Sequence, residues 1–365
     1  MPKSKRFALI THPYDLAHVR RILDFHNPGG KVPPDGLLTR ILEWTPSFKL
    51  GEWRDILSAT GALADGFNIT CPIMPQLPRL GPKAIFEKIR GACRLAAELG
   101  AHIAALGGFT SIYGENNMRS AAREAGIAVT TGNTLTAAMA VRGIIRAAEL
   151  FHLELKRATV AVIGATGDIG AACAEALSER VRAVNLAARS RPRLHLLAKA
   201  LSAFGHEPAR VASENRDALQ DADIVLCVAS ASEPIIQPGD LRPGAIVCDV
   251  GYPKNVAART AEREDVFVFD GGLVSTPSPI DFGFDNGLPN PNVLYGCFAE
   301  GVVLALDGRF ENFSHGKGNI TPEKMDEIAA LGEKHGFGLA PFYSGGRLVS
   351  DDELAEMSER FPNKA

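Results

Sequence analysis

No apolar run in the 365 residues approaches bilayer-spanning length, and the early run Phe7–Ile10 is far too short for a signal sequence. Net charge is also small: 39 Lys and Arg against 42 Asp and Glu leave −3. Nothing global therefore draws the chain to nucleic acid or to a membrane. Cysteines are few and scattered, at 71, 93, 173, 227, 248 and 297. No pair has metal-site spacing, so no metal centre is expected. A chain of this size needs no disulfide staples. A reducing cytoplasm is the expected location.

What is present is ample apolar material, 46% of residues, over a length that implies two or three domains. The stretch Ala158–Gly170 organises the rest. Val160–Ile163 reads as a buried strand, Gly164, Gly167 and Gly170 follow, and Ala171–Arg180 reads as a helix. Strand, glycine turn and helix open a dinucleotide-binding βαβ unit, here in a variant G-x-x-G-x-x-G spacing. Gly164 permits the turn, Gly167 admits a pyrophosphate to the backbone, and Gly170 brings helix close to strand. Thr166, Asp168 and Ile169 complete the loop, whose N–H groups at the helix start suit an anion.

The second strand, Val184–Ala188, leads into Arg189-Ser190-Arg191. An acidic group there would select the 2′-hydroxyl of NAD; guanidinium groups instead fit a phosphate. The expected cofactor is NADP(H). Later strands end at Ala229-Ser230, at Gly251-Tyr252-Pro253-Lys254 and at Gly271-Gly272, and these loops should share the cofactor rim.

Before this unit the chain alternates strands and helices, with strands at Phe7–Ile10, Gly66–Pro72, Ile103–Leu106 and Ile127–Thr130 and helices at Asp15–His26, Lys83–Leu99 and Asn116–Ala125. Leu37–Ala64 supports no single period and reads as mixed strand and turn. The polar knot Thr130–Thr134 precedes a long helix; it is either a cap or part of a cleft. After Val274–Tyr295, a loop rich in Pro, Asn and Gly, Gly296-Cys297 opens an apolar helix. The expected fold class is α/β, with an N-terminal α/β domain (1–151), a Rossmann domain (152–292) and a C-terminal helical segment (293–365).

Several blocks, in order, resemble the cyanobacterial-type long-chain acyl-[acyl-carrier-protein] reductases. They are Ala105–Ile112, Thr130–Thr134, Ala158–Gly170, Gly251–Asn255, Cys297–Glu300, Asn312–Ser314, Ile320-Thr321 and Glu323–Met325. The resemblance implies reduction of an acyl thioester to a fatty aldehyde with NADPH, the acyl group arriving on acyl carrier protein or CoA, and Cys297 as the catalytic cysteine. A helix start should also lower the pKa of that thiol. Lys254 is a candidate to polarise a carbonyl, and His315 to protonate the leaving thiolate. The basic residues Arg79, Lys83, Lys88, Arg90 and Arg94 suggest a docking face for an acidic carrier, against the reading of an ordinary solvated helix face. The resemblance is weak up to Ala64 and along Ser275–Tyr295, and His315 and Lys317 stand where the family pattern has Trp and Arg. Two other readings compete: a shikimate-dehydrogenase-like enzyme without a covalent intermediate, and a non-catalytic NADP(H) sensor.

Overall fold

Residues 5–74, 80–114, 117–202, 207–282, 287–288, 290–316 and 318–361 are described by a computed structural model. Arg79, Asn116 and Lys317 lie outside these residues. The chain divides into two compact units: Met1–Leu135 with Val274–Asn319 and Ile328–Gly338, and Thr136–Leu273 with Ile320–Glu327 and Leu339–Ala365. The segment from 293 onward is therefore shared between the two units rather than forming a third body.

The first unit is built on β1 (Lys5–Thr11), whose Phe7–Ile10 are fully buried because both faces of the strand are covered. After α1 (Leu16–His26) and α2 (Asp35–Trp44) come β2 (Phe48–Leu57), β3 (Leu63–Thr70), α3 (Pro82–Glu98), β4 (Ile103–Leu106), the short α4 (Phe109–Gly114), α5 (Met118–Ala125) and β5 (Ala128–Thr130). The sheet order is β2-β3-β1-β4-β5, parallel except for β2. Ala8, Ile10, Ile69, Ala104 and Leu106 pack with Ile85, Ile89 and Ala92 of α3 in one core. Each of the Ile and Leu side chains contributes about 1.5–3 kcal/mol by burial.

Helix α2 corrects the reading of Leu37–Ala64 as strand and turn. Leu38 and Leu42 are its buried stripe, whereas Leu37, Ile41 and Trp44 are 53%, 43% and 87% exposed. Two apolar stripes on one short helix blur the period that would announce it. Lys88 helps to fix α2: its ammonium donates to the carbonyls of Leu42 and Thr45, at 3.1 Å and 2.5 Å, at the helix end. Arg90 is ion-paired with Glu87 and Glu124. Both residues were weighed as part of either a docking face or an ordinary solvated face, and both carry contacts within the unit. Lys83 and Arg94 are exposed on α3.

The second unit takes up the chain within α6 (Asn133–Leu150). It contains β6 (Thr159–Ile163), α7 (Asp168–Ser178), β7 (Ala183–Ala187), α8 (Arg191–Leu201), β8 (Arg210–Val211), α9 (Asn215–Leu219), β9 (Ile224–Cys227), β10 (Ala245–Asp249) and β11 (Val266–Asp270). Its parallel sheet runs β11-β10-β9-β6-β7-β8, which is the doubly wound Rossmann order. The order reverses between β6 and β9, so a crevice opens beyond their carboxyl ends. The last long element of the first unit is α10 (Gly296–Asp307), which packs on β1, β3 and β4. Gly301 lets it lie close, since a Cβ there would stand 2.6 Å from the Ala105 Cβ. Among the described residues, no helix is long and apolar enough to cross a membrane.

Candidate active site

In the first unit, β1, β4 and β5 are parallel, so their carboxyl ends share one edge. That edge carries His12, Gly107-Gly108 and Thr130-Thr131-Gly132, and α10 brings Cys297 to it as its second residue. Gly132 has φ +67°, and a Cβ there would fall 2.1 Å from the carbonyl oxygen and 2.2 Å from the Cα of Cys297. A Cβ at Gly107 would stand 2.2 Å from the Phe298 ring. Glycine is required at both positions because the backbone of β4 and β5 touches the first turn of α10.

Glu300, one turn on from Cys297, is fully buried. Its carboxylate accepts from Thr130 Oγ1 at 2.5 Å, Ser314 Oγ at 2.9 Å and the Leu135 N–H at 3.0 Å. Ser314 is tied in turn to Thr134, with 2.5 Å between their hydroxyl oxygens, and its carbonyl accepts from the Thr131 N–H at 3.0 Å. The polar knot Thr130–Thr134 is thus more than a cap. It is half of a buried network that fixes the start of α10, and such networks hold one arrangement when fully paired. The sequence marks Glu300 and Ser314 only as motif members; no local pattern reveals their pairing.

Cys297 is half-buried as a residue, but its thiol is deeply enclosed. Burial pushes it up to about 12, the backbone N–H groups of Gly108 and Phe298 pull the other way, and the Glu300 carboxylate adds to the rise. The expected lowering at a helix start is therefore corrected: desolvation outweighs the N–H groups. The other five cysteines are buried, and burial raises all of them. Cys297 is distinguished by its partial exposure as a residue and by its place in the first turn of α10.

His315 has both ring nitrogens engaged. Nδ1 lies 2.5 Å from the Asn312 carbonyl oxygen, which can only accept, and Nε2 lies 2.7 Å from an Arg119 nitrogen, which can only donate. These contacts hold the ring at the edge of the Asn312–His315 loop, beside Arg119.

In the second unit, Gly164 follows β6 with φ +87°, and a Cβ there would lie 2.9 Å from Val228 and Ala229 backbone atoms. At Gly170 it would lie 2.5 Å from the Gly164 carbonyl oxygen. The glycine turn is thus closed toward the sheet. Gly167, flanked by Thr166 and Asp168, caps α7 without any side-chain hydrogen bond. A Cβ at Gly167 would meet only the Gly164 carbonyl oxygen, at 3.2 Å. Thr166 and Ile169 are partly exposed beside it. This turn fits a pyrophosphate, which needs backbone access and a helix start. Across the crevice, Asn255 Oδ1 accepts from the Ala229 N–H at 2.9 Å, beside Ser230. The buried Asp249 accepts from the N–H groups of Gly251, Asn255 and Val256 at 2.8–2.9 Å, and these bonds shape the loop that carries Tyr252. Burial raises the Asp249 carboxyl even so. Lys254 Nζ pairs with Asp270 at 2.9 Å and donates to the Asp249 carbonyl at 3.1 Å.

At the end of β7, Arg189 is exposed and makes no hydrogen bond or ion pair among the described residues. Ser190 is the N-cap residue of α8. Arg191 is partly committed, donating to the carbonyls of Ala212 and Ser213 at 3.2 Å each. Among the described residues no group of three metal-ligating side chains forms.

The shikimate / quinate 5-dehydrogenase family matches residues 146–271, which is most of the second unit. A long-chain acyl-[acyl-carrier-protein] reductase from Synechococcus elongatus is 34% identical over 295 residues, 77% of this chain and 84% of that protein. Aminotransferase PigE from a Serratia species is 28% identical over 318 residues, 84% of this chain but 36% of that protein. Among solved structures, a putative malic enzyme (malate oxidoreductase) aligns over 97% of this chain and 83% of its own, at 14% identity and a TM-score of 0.47.

Proposed function

Because the chain belongs to the family of the long-chain acyl-[acyl-carrier-protein] reductases, we propose that it reduces a long-chain acyl thioester, carried by acyl carrier protein or CoA, to the aldehyde. It is an NADP(H)-dependent oxidoreductase. The observation that carries the finer reading is Cys297 at the second position of α10, where Gly132 lies against its backbone and the buried Glu300 network fixes the helix start.

In the first half of the reaction, the Cys297 sulfur attacks the thioester carbonyl. A new C–S bond forms, the bond to the carrier sulfur breaks, and the Cys297 proton leaves with the carrier thiol. Only the thiolate attacks, so the raised Cys297 thiol must give up its proton as substrate binds; the exchange itself costs little because the two thioesters are close in energy. The N–H groups of Gly108 and Phe298 stabilise the charge that develops on the sulfur. When bound, NADPH supplies the hydride that releases the acyl group as aldehyde. The backbone at Gly164, Gly167 and Gly170 would hold its pyrophosphate, and Arg189 and Ser190 its 2′-phosphate.

Lys254 is proposed to stabilise negative charge on the acyl carbonyl oxygen, its ammonium held ready by Asp270 at the carboxyl ends of β10 and β11. The two half-reactions separate its role from that of Cys297. Lys254→Met should still take up acyl groups on Cys297, yet form aldehyde roughly 10²-fold more slowly. If acyl uptake and aldehyde release fall together, Lys254 acts earlier than proposed.

Cofactor choice is tested at Arg189. Its substitution by Ala should raise the Kd for NADPH about tenfold, the loss of one charge-assisted hydrogen bond, and leave NADH binding nearly unchanged. Arg191→Ala should do less to NADPH, since that guanidinium already serves Ala212 and Ser213. Equal weakening of NADPH and NADH by Arg189→Ala would refute the 2′-phosphate assignment.

The competing readings make different products. Turnover of a hydroxy acid with NADP+ and no acyl uptake would favour the shikimate-dehydrogenase-like alternative. Tight NADPH binding without turnover of any thioester would favour the sensor.

A further inference from the structure

We infer that the groove along the outer edge of β5 binds the phosphate of a pantetheine arm, the part that acyl thioesters of CoA and of acyl carrier protein share. The inference rests on the acyl-thioester reading above and adds a binding site to it.

β5 is the last strand of its sheet and pairs with β4. On its other side the segment after α10 runs past it, and Asn312 Oδ1 accepts from the Val129 N–H at 2.8 Å. Beside this segment lies an open groove of about 700 Å³. Arg119 and Arg123 of α5 line it, with His102, Phe310, Glu311 and Asn312.

The groove is rich in donors. Arg119 and Arg123 are exposed and stand one turn apart on one face of α5. Arg119 donates to His315 Nε2, which uses one of the several N–H groups it holds. Arg123 makes no hydrogen bond or ion pair among the described residues. Like charges at this spacing repel, and an anion between them removes that penalty. Asn312 has its Oδ1 committed to Val129, so its Nδ2 remains as a donor. His102 Nδ1 accepts from the Arg6 N–H at 3.3 Å, which leaves the ring proton on Nε2. Glu311, the acid in the lining, is neutralised by Arg309 at 2.5 Å.

One wall is apolar. The Phe310 ring is 40% exposed and stacks on His102 at 4.7 Å. In a pantetheine arm the phosphate sits next to a carbon bearing two methyl groups, which suits such a wall. A bare inorganic anion would leave it unused. Guanidinium groups meet phosphate oxygens with charge-assisted, often bidentate hydrogen bonds. The position fits the far end of an arm. Arg119 touches His315, and His315 follows Ser314, whose hydroxyl and carbonyl belong to the buried network at the start of α10. The guanidinium groups thus stand several residues away from Cys297, not beside its sulfur.

The test places one acyl group on CoA, on acyl carrier protein, and on pantetheine, which lacks the phosphate. In the native protein the KM for the pantetheine thioester should exceed that for either phosphate-bearing thioester by about tenfold or more. Arg123→Met should raise the KM for both phosphate-bearing thioesters about tenfold. Arg119→Met/Arg123→Met should abolish the preference over pantetheine. A rise shared equally by all three thioesters would overturn the inference as a general defect. A rise confined to acyl carrier protein would mean that the arginines meet the acidic protein itself. A rise confined to CoA would mean that they meet its nucleotide. Either result would overturn the shared phosphate site. If the native protein turns over no thioester, the acyl-thioester reading fails by itself. Calorimetric binding of 4′-phosphopantetheine against pantetheine then decides the groove. The native protein should prefer the phosphorylated form, and Arg119→Met/Arg123→Met should lose that preference. No preference in the native protein would overturn the assignment.

Discussion

Cys297→Ser should form aldehyde at least about 10³-fold more slowly than the native protein while binding NADPH with unchanged affinity. A serine hydroxyl is a far weaker nucleophile than a thiol unless a base activates it. The Glu300 carboxylate, one turn on from Cys297, is already occupied by Thr130, Ser314 and the Leu135 N–H and does not serve as that base. A serine ester, if formed, would also be a poorer leaving group when hydride arrives. A thiol gives up its proton far more readily than a hydroxyl, and that proton ends on the carrier sulfur when the carrier thiol leaves. The glycines proposed to hold the cofactor belong to the other unit, so NADPH affinity should persist. Aldehyde formation by Cys297→Ser at the native rate would show that the acyl group is never held on this residue.

The second large effect is expected at Gly132. An added Cβ meets the carbonyl oxygen, Cα and carbonyl carbon of Cys297 at 2.1, 2.2 and 2.5 Å, and these are backbone atoms that no rotamer change can move aside. The left-handed φ of +67° adds its own cost for any L side chain. Gly132→Ala should therefore lose roughly 2–5 kcal/mol of stability, combining overpacking with backbone strain. It should lose more than ~10² in kcat/KM, because relief requires α10 to move and the Cys297 sulfur to leave its N–H donors. Gly91→Ala is the matched control. It lies in α3 with nothing within 4 Å of the added methyl, and should be neutral or slightly stabilising. Thermal unfolding and kcat/KM for the two variants check the pair. A Gly132→Ala protein as stable and active as Gly91→Ala would mean that the contact between β5 and α10 is not tight in solution.

How far the chain could be read in advance depended on whether an element's partners lie near it in sequence. The Rossmann turn is local: Gly164, Gly167 and Gly170 carry their own geometry, and the buried strands β6, β9 and β10 are continuous apolar runs. Helix α2 was hidden because its solvent face holds Leu37, Ile41 and Trp44. Helix α4 was hidden because Phe109–Gly114 is barely more than a turn. The Cys297 region was legible as a motif but not as an environment. Its thiol pKa depends on burial in the folded unit, and that burial reversed the expected direction. Glu300 and Ser314 meet Thr130 only through the packing of α10 on the sheet. Lys88 looked like surface charge because nothing in sequence brings α3 to the end of α2. The pairing of Arg90 with Glu124 of α5 was hidden for the same reason.

The central claim is that Cys297 carries the acyl group. The most direct measurement is to incubate the protein with a labelled long-chain acyl-CoA without NADPH, isolate it, and map the label by peptide mass. The account predicts one acyl group per chain, on the peptide containing Cys297, removed by hydroxylamine as a thioester should be, and released as aldehyde when NADPH is added. Label on another residue that is chased to aldehyde, or aldehyde formation with no acylated Cys297 at any time, would contradict it.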